Sequence, residues 1–261
     1  MSPSPPAIGD LRQTSATTCA CAIRPLTTVE EFGRCVDVQR AVWGWNDLDV
    51  MPVRVFVLHH EVGGLVLGAF EGESMIAFVN SVPGVRATGL YWHSHMMAVL
   101  PGFQDRGIGT ALKLAQREHA RERGVTTIQW VFDPLQPKNA HVNLTKLGSV
   151  VRRYSVNHYG HSSSPLHRGG ESDRLVAEWP VTDDPPRFGS EIRTITIPAD
   201  IQRLRRLRPW AARAIQLAVR AAFVESFAGG YVAAGFERLG DEYAYLLRRQ
   251  LDAGIHENRR T

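Results

Sequence analysis

Apolar residues recur along this chain with two different periods, and the alternation between them lays out its elements. Thr28-x-x-Glu31 is a capping box ahead of apolar positions at Phe32, Val36, Val42 and Trp43, which predicts a helix to about Trp43. Pro52 to His60 reads as a second short helix, stopped by Gly63-Gly64. From Gly107 to Arg123 the period is helical again. Ile108, Ala111, Leu112, Ala115 and His119 share a face, Lys113, Arg117, Arg121 and Glu122 fall off it, and Gly124 ends it. Asn139 to Leu147 predicts a fourth, short helix ending at Gly148.

Between these lie strand-like runs. They are Cys19 to Leu26, a hairpin of Leu65 to Phe70 and Met75 to Val82 around Glu71-Gly72-Glu73, then Tyr91 to Leu100, Thr126 to Phe132, Val150 to Val156 and Arg174 to Pro180. Residues 1–18 are rich in Ser, Pro, Thr and Ala without periodicity and predict a disordered tail. The loop His161 to Ser172 is polar and glycine-rich. Asp183-Asp184-Pro185-Pro186 reads as a linker into an accessory lobe over residues 183–261. That lobe holds a strand at Ile192 to Ile197, one or two helices over Asp200 to Phe227, and a closing hairpin of Tyr231 to Arg238 and Glu242 to Leu247.

Composition changes this picture little. A chain of 261 residues, 44% hydrophobic and 21% charged, is ordinary for a globular protein with one large domain or a domain plus a lobe. No apolar run approaches bilayer length, and the first residues lack a charged leader followed by an apolar stretch, so the expectation is a cytoplasmic protein without membrane contact. The net charge of +4 is carried almost wholly by arginine, since Lys113, Lys138 and Lys146 are the only lysines. Cys19, Cys21 and Cys35 read as core or strand thiols, and no metal site is expected.

The candidate chemistry begins where the strand ending at Leu100 meets the helix opening at Gly107. Gly107 and Gly109 lack Cβ atoms, so an anion can approach the main chain at a helix N-terminus. No Lys-Ser/Thr follows the glycines, which excludes a nucleotide-triphosphate loop, and the spacing is not that of a dinucleotide fold. The run Met97-Ala98-Val99-Leu100-Pro101-Gly102-Phe103-Gln104-Asp105-Arg106-Gly107-Ile108-Gly109 resembles the acyl-CoA-binding signature Gln/Arg-x-x-Gly-x-Gly/Ala of the GNAT superfamily of N-acyltransferases. The order of elements over about residues 20–180 is the order of that family. The C-terminal extension, Ser94-His95-Met96-Met97 and Phe132-Asp133-Pro134-Leu135 are similar to a bacterial subgroup of it. The resemblance implies an α/β (α+β) fold: a mixed, mainly antiparallel central sheet flanked by helices over residues 19–182, with a small C-terminal α/β lobe.

It also implies roles. The pantetheine arm of acetyl-CoA or another acyl-CoA would add against the Tyr91–Leu100 strand, at main-chain groups of Met97 and Val99. Its pyrophosphate would sit on the N–H groups of Arg106, Gly107, Ile108, Gly109 and Thr110, flanked by the side chains of Gln104 and Arg106. Strict alternation would put His93, His95, Met97 and Val99 on one face, with His93 four residues before Met97, where some relatives keep a catalytic glutamate. His93 and His95 are therefore candidate bases, with packed, hydrogen-bonded histidines as the alternative. The helix before the sixth strand lacks the family's tyrosine, so Tyr154 or Tyr159 is left as the candidate acid, against simple aromatic packing. Asn139 and Asn143, one turn apart, could hold CoA amides, or Asn139 could be only an N-cap. Arg152 or Arg153 could fork onto a substrate carboxylate, or be strand-edge charges.

The function expected from these residues is direct transfer of an acetyl or other short acyl group, succinyl among them, in a ternary complex. The acceptor would be the amine of a small metabolite such as an amino acid, and a homodimer is the further expectation for assembly. Two alternatives stand beside it. One is a CoA-binding module without activity. The other, less favoured, is a nucleic-acid binder using the six arginines between Arg203 and Arg220, which read more simply as the solvated side of a helix around Trp210.

Overall fold

The computed structural model describes residues 21–44, 49–160, 171–182 and 186–251. The expected tail, Cys19 and most of the Asp183–Pro186 linker lie outside the described residues, as does the loop centre. Capping and glycine chemistry fix the elements on the N-terminal side. Thr28 caps α1 (Val29–Trp43) with both halves of the box formed, and Gly44 ends it at φ 58°. α2 (Val53–Glu61) follows. β1 (Ala22–Pro25), β2 (Leu65–Glu71), β3 (Ser74–Arg86) and β4 (Gly89–Val99) form an antiparallel meander, the two hairpins turning at Gly72 and Gly89. α3 (Ile108–Glu122) leads to β5 (Thr127–Phe132), which runs parallel to β4, the one parallel pairing among the described residues.

A short helix α4 (Pro137–Ala140) continues into a π-helical turn (His141–Lys146) before β6 (Val150–Ser155) and β7 (Arg174–Pro180). Proline at the first helical position starts α4 two residues earlier than expected, so Asn139 is inside the helix and Gln136 is its N-cap. Beyond the linker come β8 (Phe188–Pro198), α5 (Ile201–Leu207), α6 (Pro209–Ala228), β9 (Tyr231–Leu239) and β10 (Glu242–Gln250).

All ten strands join one sheet in the order β1-β2-β3-β4-β5-β7-β6-β9-β10-β8. The segment expected as a lobe therefore extends the sheet rather than building its own. β9 bridges β6 at Val151–Ala233, and Phe223, Tyr231, Phe236, Tyr245 and Leu247 share a single buried cluster with Leu112, Ile128 and Leu175. That cluster fills the face carrying α3, α4 and α6. A second, smaller one packs α1 and α2 on the opposite face through Phe32, Cys35, Phe56, Phe78 and Ala98. Cys35 is a buried free thiol, its pKa raised by burial and by Glu31, whereas Cys21 is disulfide-bonded, contrary to its expected thiol state.

Candidate functional site

β4 and β5 begin side by side and then part. Their register runs Tyr91–Thr127, Trp92–Ile128, His93–Gln129 and stops there, although β4 continues to Val99 and β5 to Phe132. The unpaired halves of the two strands leave main-chain groups without a cross-strand partner on that side, and the loop into α3 lies at the wide end of the split. α3 opens there without a side-chain cap, Gly107 standing at φ 80° with open space where its Cβ would be. The amides of its first turn are thus bare donors at the positive end of a fifteen-residue helix dipole. At Gly109 the missing Cβ also serves packing, since a Cβ there would press on the Met97 methyl at 3.3 Å. Gln104 is turned back, its amide donating to the Val99 carbonyl at 3.1 Å, and Arg106 lies exposed over the Phe103 ring. Across the mouth, Asp105 pairs with Lys138 of α4 at 2.6 Å, linking the two flanks of the split.

The expected alternation along β4 does not hold, because β4 carries a bulge. Asn80 pairs with Met96 but Ser81 pairs with Ser94, which leaves His95 without a partner and shifts the faces by one residue. Trp92 and Ser94 before the bulge, and Met97 and Val99 after it, all point to the α3 face. His93 points to the α1/α2 face, and His95 sits exposed at the bulge. There the imidazoles form a row: His59 of α2 lies edge-on to His95 at 6.0 Å, and His95 lies 6.2 Å from His93. Asn80 holds His59 by a 2.8 Å bond between its amide and Nδ1. Burial, with repulsion from His95, His158, Lys113 and Arg86, pushes the His93 pKa down to about 4. His95 and His59 are lowered as well, both chiefly by desolvation.

On the same face as His93, a polar strip crosses the sheet. Arg86, lying over the Tyr91 ring, reaches Gln129 and Glu178, and Arg152 binds Glu178 at 2.8 Å and Gln250 at 3.1 Å. A bulge in β6 leaves Arg152 unpaired in the register, so Arg152 and Arg153 do not alternate across the sheet as consecutive residues of a regular strand would. Arg153 is exposed on this face with no ion pair among the described residues, close enough to repel a proton from His158. On the opposite, α3 face, Lys113 is buried at 4% exposure, not solvated as its position off the apolar stripe suggested.

The sequence profile described as Acetyltransferase (GNAT) family matches residues 30–148, which span β2 to β5, the split and the bare helix start. This segment is a GNAT acetyltransferase domain. The protein thus carries a domain of the family whose members transfer an acyl group from acetyl-CoA to an amine. Among solved structures, the ribosomal-protein-S18-alanine N-acetyltransferase from Escherichia coli is similar over 63% of this chain and 96% of its own, with 17% identity and a TM-score of 0.50. A structure from Desulfovibrio desulfuricans, assigned to the GNAT family, is similar over 62% of this chain and 100% of its own, with 16% identity and a TM-score of 0.51. At such identities the likeness is one of fold. No curated protein matches the chain in sequence.

Within the GNAT domain the expected site residues divide. Met97, Val99, Gln104, Arg106, Gly107, Ile108, Gly109 and Thr110 line the split or its wide end, and His93 and His95 flank its closed end. Tyr154 stands apart. It pairs with Leu175, two strands from β5, and its hydroxyl donates to Asp173 at 2.7 Å while its ring packs on Phe223. Burial and Asp173 raise its pKa well above the usual tyrosine value, and Arg220 of α6 completes the cluster by binding the same carboxylate at 2.9 Å. Asn143 is buried in the π-helical turn and Asn139 is exposed, neither with a side-chain partner among the described residues. His59, Asn80, Arg86, Glu178, His158, Ser94 and Lys113 were invisible to sequence reasoning as site neighbours. They converge only through the bulge and the sheet order. Among the described residues no cluster of three or more metal-ligating side chains occurs, and no helix is long and apolar enough to cross a membrane.

Proposed function

We propose that this enzyme transfers an acetyl or other short acyl group, succinyl among them, from acyl-CoA to the amine of a small carboxylate-bearing metabolite such as an amino acid. Transfer is direct, within a ternary complex in the cytoplasm. The observation that carries the reading is the split between β4 and β5, open on one side at a bare helix N-terminus and bounded at its closed end by His93. The residues fit the co-substrate. Gly107 leaves room for a phosphate, the amides of Gly107 to Thr110 supply donors, and Met97 and Val99 offer main-chain groups for the pantetheine amides. Asn139 and Asn143 remain candidates for the far side of that arm.

The acceptor side is basic. Among the described residues Arg86 and Arg152 share the Glu178 carboxylate there and Arg153 has no ion pair, so a carboxylate on the acceptor or on the acyl chain would be drawn to Arg153. His93 is neutral at physiological pH and can take the acceptor's proton directly or through water. The bond of Tyr154 to Asp173 favours a structural role for that tyrosine. Three of the six arginines between Arg203 and Arg220 (Arg205, Arg213 and Arg220) are in ion pairs with Asp133, Glu171 and Asp173, which weighs against a nucleic-acid stripe.

Calorimetric titration with acetyl-CoA, succinyl-CoA and free CoA tests the reading. Micromolar binding of at least one thioester is expected, and its identity orders the donor screen against a panel of amino acids. No heat from any of the three would remove the acyl-CoA reading of the split.

A further inference from the structure

The first residues beyond the last paired couple His93–Gln129 are Ser94 on β4 and Trp130 on β5, and both face α3. One side chain touches them both. Lys113, projecting from the second turn of α3, places Nζ 2.7 Å from the Ser94 hydroxyl and 3.9 Å from the centre of the Trp130 ring. A buried ammonium normally has a carboxylate beside it. Here no carboxylate pairs with Nζ among the described residues. Its neighbours are Ser94, the Trp130 face and the Gln116 side-chain amide oxygen at 3.3 Å, and its charge also acts on His93 across the strand.

The hydrogen bonds around it have a direction. Ser94 Oγ accepts from Lys113 and also from the Gln116 amide at 3.1 Å, while that amide donates to Ser81 at 3.0 Å and Ser81 donates to the Leu65 carbonyl. Apart from the Lys113 N–H left to the Trp130 ring, every donor in this hydrogen-bonded set but one therefore has a protein acceptor. The exception is the Ser94 hydroxyl proton, which no described residue accepts, on a residue at the apex of the split. A serine oxygen that accepts two bonds, one of them from a cation, is both polarised and oriented to donate its proton outward.

We propose that Ser94 is the proton donor to the departing thiolate of CoA, and that Lys113 is the positioning residue that polarises and reprotonates it. The inference rests on the split holding the thioester. As the acceptor nitrogen forms its bond to the acyl carbon, the carbon–sulfur bond breaks and its electron pair leaves on sulfur. The Ser94 proton passes to sulfur, and a proton from the Lys113 ammonium restores the hydroxyl. The acceptor nitrogen loses its own surplus proton on the His93 side or to water, and Lys113 recovers one from solvent as CoA leaves. Burial pushes the Lys113 pKa down to about 7, which suits a group that must give up a proton in one step and regain it in the next. The arrangement also accounts for the missing tyrosine of the preceding π-helical segment, since the acid is supplied from the opposite side of the split.

The test needs no acceptor. Free CoA is bound to the wild-type protein and to Lys113→Met and Ser94→Ala, and the pH at which its thiol ionises is followed by thiolate absorbance. Lys113→Met removes a buried charge and keeps the volume, and Ser94→Ala removes one hydroxyl, so both variants are expected to fold and still to bind CoA in its thiol form, at a pH below the ionisation of the bound thiol. In the wild-type protein the bound thiol should ionise about one to three pH units lower than in Lys113→Met, a tenfold or greater gain in thiolate at a given pH, with Ser94→Ala in between. A thiol that ionises at the same pH in all three CoA-bound proteins overturns the proposal. Failure of the wild-type protein to bind CoA is a different result, and it overturns the acyl-CoA reading on which the proposal rests.

Discussion

His93 shows how far a side chain's surroundings set its chemistry. With its pKa at about 4 against 6.5 for a free imidazole, it is neutral over the whole physiological range, and its basicity is weak. Two consequences follow at this scale. If His93 accepts the acceptor's proton, activity should be lost only as pH falls toward 4, not near 6.5, and His93→Gln should lower kcat about a hundredfold or more with acyl-CoA affinity unchanged. A rate–pH profile of both proteins checks this. The second consequence concerns stability. A base whose folded pKa is depressed binds its proton more readily when unfolded, so stability falls as pH drops from 6.5 to about 4 for His93. By the same sign, Lys113 makes stability rise as pH increases from about 7 to 10.5. Urea unfolding of Lys113→Met across that alkaline window should show a flatter dependence than the wild type.

At the scale of elements, α3 has to do two things that pull against each other: present bare amides at its start and pack closely on β4 one residue later. Gly107 meets the first demand by taking a left-handed conformation with nothing around it, and Gly109 meets the second by lacking a Cβ that would push on Met97. The two glycines should therefore fail differently. Gly107→Val strains the backbone at φ 80° and costs about 1–2 kcal/mol while also filling the anion approach, so acyl-CoA binding should drop out of proportion to stability. Gly109→Val wedges α3 from Met97 and Val99, and should cost about 1–3 kcal/mol with weaker binding as the consequence. Thermal unfolding and calorimetry on the same two proteins separate the cases.

For the whole molecule, the C-terminal strands and α6 act as part of the enzyme's frame. Arg220 of α6 binds Glu171 and the nearly buried Asp173, which also receives Tyr154 and the Asn157 amide, so the helix is fastened to the β6–β7 hairpin beside its apolar contact at Phe223. Arg220→Ala leaves Asp173, at 2% side-chain exposure, without its cation and should cost about 3 kcal/mol in global unfolding. Truncation after residue 182 removes Phe223, Tyr231, Phe236, Tyr245 and Leu247 from the shared cluster and uncovers the β6 edge. The shortened chain is expected to aggregate or to lose protection in hydrogen exchange across β5–β7, whereas a frame independent of the C-terminal segment would keep it.

Much of this was legible in the chain itself. Capping residues, glycines and the two hydrophobic periods act over a few neighbours. They placed α1, α3 and β7 to within a residue or two, and the glycine turn with its preceding strand marked where α3 opens. What tertiary structure alone decided are relations between strands. A single extra residue at His95 reverses which β4 side chains meet α3, and no local pattern announces a bulge, because it exists only as a mismatch with β3. The burial of Lys113 follows from where β4 and β5 part, which sets a pocket for its ammonium that helical periodicity assigns to solvent. The union of both halves in one sheet is likewise a matter of edges: β6 would be left with an open side, and β9, distant in sequence, closes it.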